Sequence, residues 1–346
     1  MNQRTHSWIA IRAIALLEDE NSEPNLVKLL KPFVREASVG AWIPDQVDAK
    51  RGGAGASTEN HVLKMEPYDG YQTKRFTTSK EDLVKHCGDY RKVIQYLQQD
   101  NYLDNDWWSA PYKGDVNKPG KHLPNRISAL CTMLKDLLLL GSKRVDSLIP
   151  GNIYFAQYLT DDVRTKEDAA AMYFFMLSHF IADISMPCHS DARKLSSYSN
   201  GLHKELEGHW SKKVGTYFEK KKLWKDNSNL STREVTSDSN KVIKKAKEVG
   251  DKFNLKFSDN LIPDLIKGHD IWLEGIFLCR ASFALSSIIA PYKQYPYDDS
   301  IKKAPFKTLF INDSDLLEKI DEIVMHDAVL NTAIFWKHLW NKVSKE

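Results

Sequence analysis

The sequence predicts an all-α protein. Apolar residues recur at the spacing of an amphipathic helix in several segments, and the strict alternation of a half-buried strand is sustained nowhere. The helical segments are 8–17, 26–34, 128–140, 168–184, 202–218, 262–290 and 328–343. With 42% hydrophobic and 27% charged residues, the chain of 346 residues can bury a sizeable core, which excludes a disordered or collagen-like protein.

Capping and helix-breaking residues delimit several of these segments. Asn125 and Thr165 stand near the starts of the third and fourth, where a short polar side chain can cap a helix. Pro187 and Pro291 follow the fourth and sixth, where proline prevents the helix from continuing. The boundaries therefore agree with the apolar periodicity.

A single large helical domain is predicted over residues 1–346. The most apolar stretch, 271–292, contains Glu274 and Arg280, which predicts a buried core helix and no membrane span. Polar connections that contain Gly, Pro or Ser occur at 51–57, 109–124 and 226–240. Since none of them separates two cores, we expect one domain.

Charge and cysteine content exclude several functional classes. A net charge of +3 is too small for a protein whose whole surface binds nucleic acid, so no stable nucleic-acid partner is inferred. The four cysteines form no CxxC pair and indicate neither a disulfide scaffold nor a zinc ribbon. The N-terminus has no basic segment followed by an apolar one, so we expect either an intracellular protein or a secreted one with its signal removed.

Two histidine–carboxylate pairs stand at the spacing of one helical turn. His179 and Asp183 project from the same face of the fourth predicted helix, and His203 and Glu207 repeat this spacing on the fifth. His189 follows the proline that ends the fourth helix and approaches from another angle. Imidazole and carboxylate ligands suit zinc, although a helix-surface hydrogen bond or ion pair explains each pair better when it is taken alone.

These pairs belong to an ordered series along the chain. The series is His6, Asp45, His61, His179-x3-Asp183-x5-His189 and His203-x3-Glu207. It resembles that of the zinc-dependent phospholipase C family and its relatives, the fungal single-strand-specific nucleases. The run 178–189 is similar to that family's H-(Y/F)-x-G-D-x-x-x-P-x-H signature, and the closing helix with Trp336 and Trp340 resembles the family's last helix. Insertions at about 64–122 and 220–259 are not covered.

The resemblance implies an all-α fold of the phospholipase C type with up to three zinc ions. The first zinc would be held by Asp45, His61, His179 and Asp183. The second would be held by His189, His203 and Glu207. The third would be held by His6, by Asp183 as a bridge, and by the amine and carbonyl of the first residue, here Met1. The nucleases share the spacing from Met1 to His6, whereas the phospholipases insert a longer arm.

The implied chemistry is hydrolysis of a phosphodiester by metal-bound hydroxide, because neighbouring cations lower the pKa of water. Asp45 is the candidate general base, and a ligand without a proton-transfer role is an equal alternative for it. A nuclease or nucleotidase acting at the same trinuclear site is the second functional hypothesis. The third is a non-catalytic protein in which metal ions only hold helices together.

The substrate-side positions match neither relative in full. Choline-specific phospholipases have Tyr and Phe where this chain has Gln46 and Thr58, so an aromatic cage for a quaternary ammonium is not supplied there. The nucleases have a base-stacking aromatic where this chain has Val62. Glu207, which is Asp in the nucleases, and the run around Trp8 favour a phospholipid over a nucleotide as the substrate.

Three further features have no place in the series. The aromatic stretch 104–113 could cover the site or make transient contact with a membrane surface, although a loop pinned to the core by its tryptophans is the better explanation. The lysine clusters 220–222 and 244–245 could contact phosphate, and solvated helix faces explain them at least as well. His209, two residues after Glu207, is the background histidine nearest to the series.

Overall fold

The structure is a computed structural model, and its described part is mostly helical. It describes residues 1–34, 36–42, 44–45, 61–63, 65, 92, 123–139, 166–191, 195, 201–215, 239–257, 262–290 and 314–344. Within these ranges there is no strand, and an isolated parallel bridge joins Met65 and Asp191. The predicted all-α class is confirmed for this part of the chain.

Helices are numbered in chain order over the described ranges. They are α1 (Gln3–Asp19), α2 (Pro24–Leu30), α3 (Ala37–Gly40), α4 (Leu123–Leu139), α5 (Lys166–Ile184), α6 (Pro187–Ser190), α7 (Leu202–Val214), α8 (Ser239–Gly250), α9 (Ile271–Ile289) and α10 (Ser314–Ser344). Short 3₁₀ turns, Lys31–Phe33 and Asp251–Phe253, continue α2 and α8.

The centre of the molecule is α5, which is apolar on nearly every side. From Ala169 to the end of the helix its side chains are buried. It packs against α1, α3, α4, α9 and α10. The indole Nε1 of Trp336 on α10 donates to the carbonyl of Phe174 at 3.0 Å and fixes two of these helices together. A helix that is surrounded in this way is a core helix, so any polar side chain on it is held away from solvent.

The sixth predicted segment is too long at its start. Residues 262–270 are not helical, and α9 begins at Ile271 because Asp270 caps it: Oδ1 of Asp270 accepts from the backbone N–H of Leu273 at 2.8 Å. The charged residues Glu274 and Arg280 of this helix are both buried. No helix in the described ranges is long and apolar enough to cross a membrane.

Further boundaries differ from the prediction. The helix α1 begins at Gln3 and not near residue 8, and α4 begins at Leu123, so Asn125 lies inside this helix and does not cap it.

The last helix, α10, begins at Ser314 and not near residue 328, because its early turns bury Ile320 and Val324 against the core. The helix α8 was not predicted. Its buried residues Ile243, Ala246 and Val249 recur every third position among exposed lysines, including the cluster 244–245, which is therefore a solvated helix face.

Some sequence predictions lie outside the described residues. They are those for the aromatic stretch 104–113, the lysine cluster 220–222, positions Gln46 and Thr58, and most of the segment 64–122.

Candidate metal centre

The predicted ligand series lies together in one cluster. The cluster joins the start of the chain, the end of α5, the short helix α6 and the first turns of α7. Its members are Met1, His6, Asp45, His61, His179, Asp183, His189, His203 and Glu207. In three sets of described residues the ligand atoms all lie within 4.8 Å of one another: His6, Asp45 and His179; His61, His179 and Asp183; and His189, His203 and Glu207. Three groups are named after the zinc ions that the resemblance implies: the first group is Asp45, His61, His179 and Asp183, the second is His189, His203 and Glu207, and the third is Met1, His6 and Asp183.

The end of α5 and the turn after it supply three members. His179 and Asp183 are one turn apart and share a face of α5. The helix ends at Ile184, and Pro187 begins α6 at a position where its missing N–H leaves no intrahelical hydrogen bond unmade. The change of direction brings Nδ1 of His189 to 3.5 Å from Oδ1 of Asp183.

The first group converges on one point. Nδ1 of His61 lies 3.1 Å from Nε2 of His179, and both nitrogens face Oδ2 of Asp183, at 2.8 Å and 3.2 Å respectively. Oδ1 of Asp45 is 3.6 Å from the His179 nitrogen and 3.8 Å from the His61 nitrogen. Ligand atoms around a tetrahedral zinc are about 3.3 Å apart, because the bonds are about 2.0–2.1 Å long. These separations therefore suit a zinc ion.

The carbonyl of Ala41 sets the tautomer of His179. It lies 2.7 Å from Nδ1 of His179, and since a carbonyl only accepts, Nδ1 must donate. The neutral ring then carries its lone pair on Nε2, the atom that faces His61 and Asp183. Such a backbone contact orients a metal-binding histidine and fixes its tautomer.

The second group brings α6 and α7 together. Nε2 of His203 lies 3.0 Å from Nε2 of His189 and 3.0 Å from Oε1 of Glu207. Nε2 of His189 is 3.9 Å from the same oxygen of Glu207. Two imidazole nitrogens and a carboxylate oxygen again point to one centre, and this ligand set leaves a fourth tetrahedral position open.

The third group contains the start of the chain. The amine of Met1, whose side chain is also buried, lies 3.3 Å from Oδ1 of Asp183 and 2.8 Å from Oε1 of Glu207. Nε2 of His6 is 3.0 Å from the carbonyl oxygen of Met1 and 3.5 Å from Oδ1 of Asp183. An amine, a carbonyl, an imidazole and a carboxylate thus meet where α1 begins.

Ring packing holds these histidines in place. The rings of His6 and His179 stack, with centroids 3.9 Å apart and planes 18° from parallel. Phe180 packs against both His61 and His179, with ring centroids 5.2 Å and 5.3 Å away. The apolar contacts exclude water around the imidazoles and restrict their rotation.

Burial favours the neutral form of His6 and His189. Desolvation lowers the pKa of His6 well below its ordinary value, and the nearby His179 and Met1 amine lower it further. Desolvation also lowers the pKa of His189 well below its ordinary value, against the raising effect of Asp183. Both imidazoles therefore keep a free lone pair at neutral pH, as a ligand must.

At two of the carboxylates, neighbouring positive groups lower the pKa more than burial raises it. Burial raises the pKa of Asp183, but the Met1 amine, His179 and His189 more than offset this and hold the pKa well below its usual range. Burial also raises the pKa of Glu207, but the Met1 amine and His203 more than offset this and hold the pKa below its usual range. Asp45 differs, because desolvation raises its pKa.

Two contacts near the centre had no signal in the sequence. Every residue has a backbone carbonyl, so no sequence motif could identify that of Ala41 as the partner of His179. His209 does not join the cluster; its Nε2 lies 2.8 Å from Oδ2 of Asp321 on α10. Its position close to Glu207 in the chain could have suggested a supporting role, but the partner on α10 could not be predicted.

Fold and site together define a helical protein with a buried cluster of imidazoles, carboxylates and an N-terminal amine. In comparisons with protein-family models and with curated proteins, the sequence matches neither a family nor a relative. The function is therefore inferred from the site.

Proposed function

We propose that this protein is a zinc-dependent phosphoric-ester hydrolase, similar to phospholipase C, that cleaves phosphodiesters. The observation that carries the proposal is the position of Asp183. Its Oδ2 faces the imidazoles of the first group, while its Oδ1 faces the Met1 amine and His6 of the third. A buried carboxylate whose two oxygens face two ligand groups is the arrangement needed to bridge a pair of cations.

The ligand set fits zinc. The first two groups combine imidazole nitrogens with carboxylate oxygens, the hydrogen bond to Ala41 directs Nε2 of His179 inward, and burial favours the neutral form of His6 and His189. Bound zinc would supply Lewis acidity, making water nucleophilic near neutral pH and offsetting charge on the phosphate. The three groups would hold up to three ions.

Asp45 is the residue that we propose as general base. Its side chain is 31% exposed, so it borders the open side of the first group and not its enclosed side. Burial nevertheless raises its pKa, which strengthens it as a proton acceptor. In this role Asp45 takes the proton from the water that attacks phosphorus.

The proposed fold is that of the phospholipase C type. In support of it, the signature-like run 178–189 spans the end of α5 and α6, and the first residue of the chain enters the same cluster. The closing helix α10 carries Trp336, which anchors it to α5. These features occur in the order that the resemblance implies.

A nuclease or nucleotidase is the second candidate, and one observation favours it. The amine of Met1 and Nε2 of His6 both lie at Asp183, with the short spacing that the nucleases share. Phospholipid is favoured instead by Glu207 in the second group, where the nucleases have Asp. The non-catalytic alternative predicts bound zinc without turnover.

The decisive experiment measures zinc content and hydrolysis on the same preparation. Phosphatidylcholine, phosphatidylinositol, single-stranded DNA and mononucleotides are assayed side by side, before and after a chelator and after zinc is restored. We expect about three zinc ions per chain and zinc-dependent cleavage of a phospholipid phosphodiester. Cleavage of DNA or mononucleotides alone selects the nuclease candidate.

Two results would contradict the proposal. Full zinc occupancy with no turnover of any substrate, including a generic aryl phosphodiester, would select the non-catalytic alternative. Less than about one tightly bound zinc per chain in protein purified without chelator would refute the ligand assignment itself.

A further inference from the structure

Asp321 on α10 binds three donors of the neighbouring helix α7. Its carboxylate is 1% exposed, and Oδ1 accepts from Nε1 of Trp210 at 2.8 Å. Oδ2 accepts from Nε2 of His209 and from Nζ of Lys213, each at 2.8 Å. Charge-assisted hydrogen bonds of this length are directional and among the stronger ones in proteins. One buried carboxylate thus defines how α7 faces α10.

The same helix carries His203 and Glu207, which form most of the second group. With about 3.6 residues per turn, the face that meets Asp321 and the face that carries these two ligands are roughly a quarter turn apart. A rotation of α7 that loosens its contacts with Asp321 therefore moves both ligands relative to His189 on α6.

Among the described residues, other directional contacts of α7 are made at Glu207: Nδ2 of Asn2 donates to its carbonyl at 3.4 Å, and the Met1 amine lies 2.8 Å from its Oε1. The helix begins after Gly201 and ends before Gly215, both with positive φ, and its N-cap makes no side-chain hydrogen bond. Its buried apolar residues, among them Leu206 and Val214, contribute contacts that are not directional. The hydrogen bonds to Asp321 add three directional restraints in the second half of the helix.

A metal site tolerates only a small rotation of this kind. Side-chain tips lie about 5–6 Å from a helix axis, so a rotation of roughly 2° moves them by about 0.2 Å. That distance is about the spread allowed for a metal–ligand bond. A carboxylate that fixes the rotation of α7 can therefore control cation affinity without touching the cation.

We propose that Asp321 is a positioning residue for the second group: through His209, Trp210 and Lys213 it fixes α7 and so sets the approach of its ligands to His189. The inference rests on the proposed function, because it concerns zinc binding by that group. Asp321 acts through α7 and touches none of the proposed ligands in the structure.

The test is the zinc affinity of each group in wild type and in Asp321→Asn. Asparagine keeps the shape and one acceptor oxygen but directs an NH₂ group toward donors. Zinc is titrated against a chelator of known affinity, and histidine ring NMR identifies which imidazoles bind. For Asp321→Asn we expect the His189 and His203 resonances to show affinity weakened about tenfold to a hundredfold. Those of His61 and His179 should change less than about twofold.

Glu322→Gln is the matched control. It removes a carboxylate from the next position of α10, where Glu322 pairs with Lys319 at 3.0 Å on the surface and not with α7. It should leave both affinities unchanged. If Asp321→Asn does not fold, Lys213→Met replaces it, since the Lys213 side chain is 24% exposed and its loss removes one of the three donors. A smaller loss, again confined to the second group, is then expected.

The possible failures are distinguishable. Wild-type protein that binds no zinc refutes the proposed function before any variant is compared. If the wild type binds zinc normally, the variant tests the positioning role alone. That role is overturned if Asp321→Asn weakens the zinc affinity of the first and second groups equally, or leaves that of the second group unchanged. The proposed function then still stands.

Discussion

The N-terminal amine of Met1 lies 3.3 Å from Oδ1 of Asp183, although the two residues are 182 positions apart in the chain. The other oxygen of the same carboxylate, Oδ2, is 2.8 Å from Nδ1 of His61. Asp183 therefore connects the start of the chain, the central helix α5 and the segment of His61. Removing its charge should affect more of the site than removing any other single group.

Asp183→Asn is expected to lower zinc content from about three ions per chain to about one, because two groups lose a shared anionic ligand. Hydrolysis of an aryl phosphodiester should fall by about a hundredfold or more. Elemental analysis and a steady-state assay on the same samples measure both effects. Asp136→Asn is the matched control, since Asp136 is an exposed carboxylate on α4. Normal zinc content in Asp183→Asn would mean that this carboxylate is not a ligand.

Adding Gly-Ser ahead of Met1 should remove one zinc ion and spare the others. The amine is buried 2.8 Å from Oε1 of Glu207. If residues precede Met1, its nitrogen becomes a peptide nitrogen and the new terminal amine must lie elsewhere. Elemental analysis should find about two ions per chain. The same dipeptide added after Glu346 serves as the control. An extended chain that retains its full zinc content would exclude the amine as a ligand.

Zinc binding at the third group should strengthen as pH rises. Burial lowers the pKa of the Met1 amine, but Glu207 and Asp183 more than offset this and raise the pKa to about 11 in the cation-free protein. The amine is then protonated at neutral pH, and zinc must displace that proton. Affinity should increase about tenfold per pH unit between roughly pH 7 and 10.

Calorimetry in buffers of different ionisation enthalpy measures this proton directly. About one proton should be released for the zinc ion that binds the amine. The chain extended by Gly-Ser should lose this proton release. An affinity that does not vary with pH over this range would contradict the assigned role of the Met1 amine.

The sequence was most informative where a chemical pattern is local. Spacing of one turn identified His179 with Asp183. The family resemblance implied that Asp45 and His61 join them, and the fold brings Oδ1 of Asp45 to 3.8 Å from the His61 imidazole and 3.6 Å from that of His179. Apolar periodicity likewise predicted the existence of α1 and α5. The one-turn pair and the two helices need only the geometry of a helix and the identity of its side chains, whereas the ligand grouping needed the resemblance.

Contacts between distant segments could not be predicted in the same way. Asp321 meets His209 only because α10 packs beside α7, and no spacing in either helix reports that packing. The contact between the carbonyl of Ala41 and His179 could not be predicted either, because it does not depend on the residue type at position 41. At α9 the signals conflicted, since the apolar residues at 262–266 outweighed the capping residue Asp270 that starts the helix.

Asp45→Asn should lower the rate more than it lowers zinc affinity. Oδ1 of Asp45 lies 3.6 Å from Nε2 of His179, farther than the 3.2 Å of Oδ2 of Asp183, so Asp45 holds the first group less closely. Its pKa is raised by burial, which suits a proton acceptor. We expect kcat to fall about a hundredfold or more while zinc affinity at the first group changes less than about tenfold.

The pH–rate profile provides the second measurement for Asp45. The wild type should lose activity as Asp45 becomes protonated at acid pH, and this limb should vanish in Asp45→Asn. Loss of zinc in proportion to loss of rate would favour the alternative in which Asp45 is a ligand without a proton-transfer role. Glu322→Gln serves as the carboxylate control away from the cluster.

Alanine substitutions at two glycines, one tightly packed and one in open space, form a matched pair that tests how the site is supported. A Cβ at Gly40 would lie 2.6 Å from Cβ of Phe175 and 2.7 Å from Sδ of Met172. The methionine can move, but the Phe175 Cβ is fixed to the backbone of α5. Gly40→Ala should therefore destabilise the protein by about 1–3 kcal/mol. Gly208 in α7 has nothing within 4 Å of such a Cβ, so Gly208→Ala should stabilise it by about 0.5–1 kcal/mol.

Denaturant unfolding measures both free energies, and zinc titration separates stability from function. Gly40 precedes Ala41, whose carbonyl holds Nδ1 of His179 at 2.7 Å, so a shift of α3 away from α5 should also weaken zinc binding by the first group. Gly208→Ala adjoins Glu207 but should leave zinc affinity unchanged, since its side chain meets open space. A Gly40→Ala protein that is less stable yet binds zinc normally would show that the Ala41 contact is not needed to orient His179.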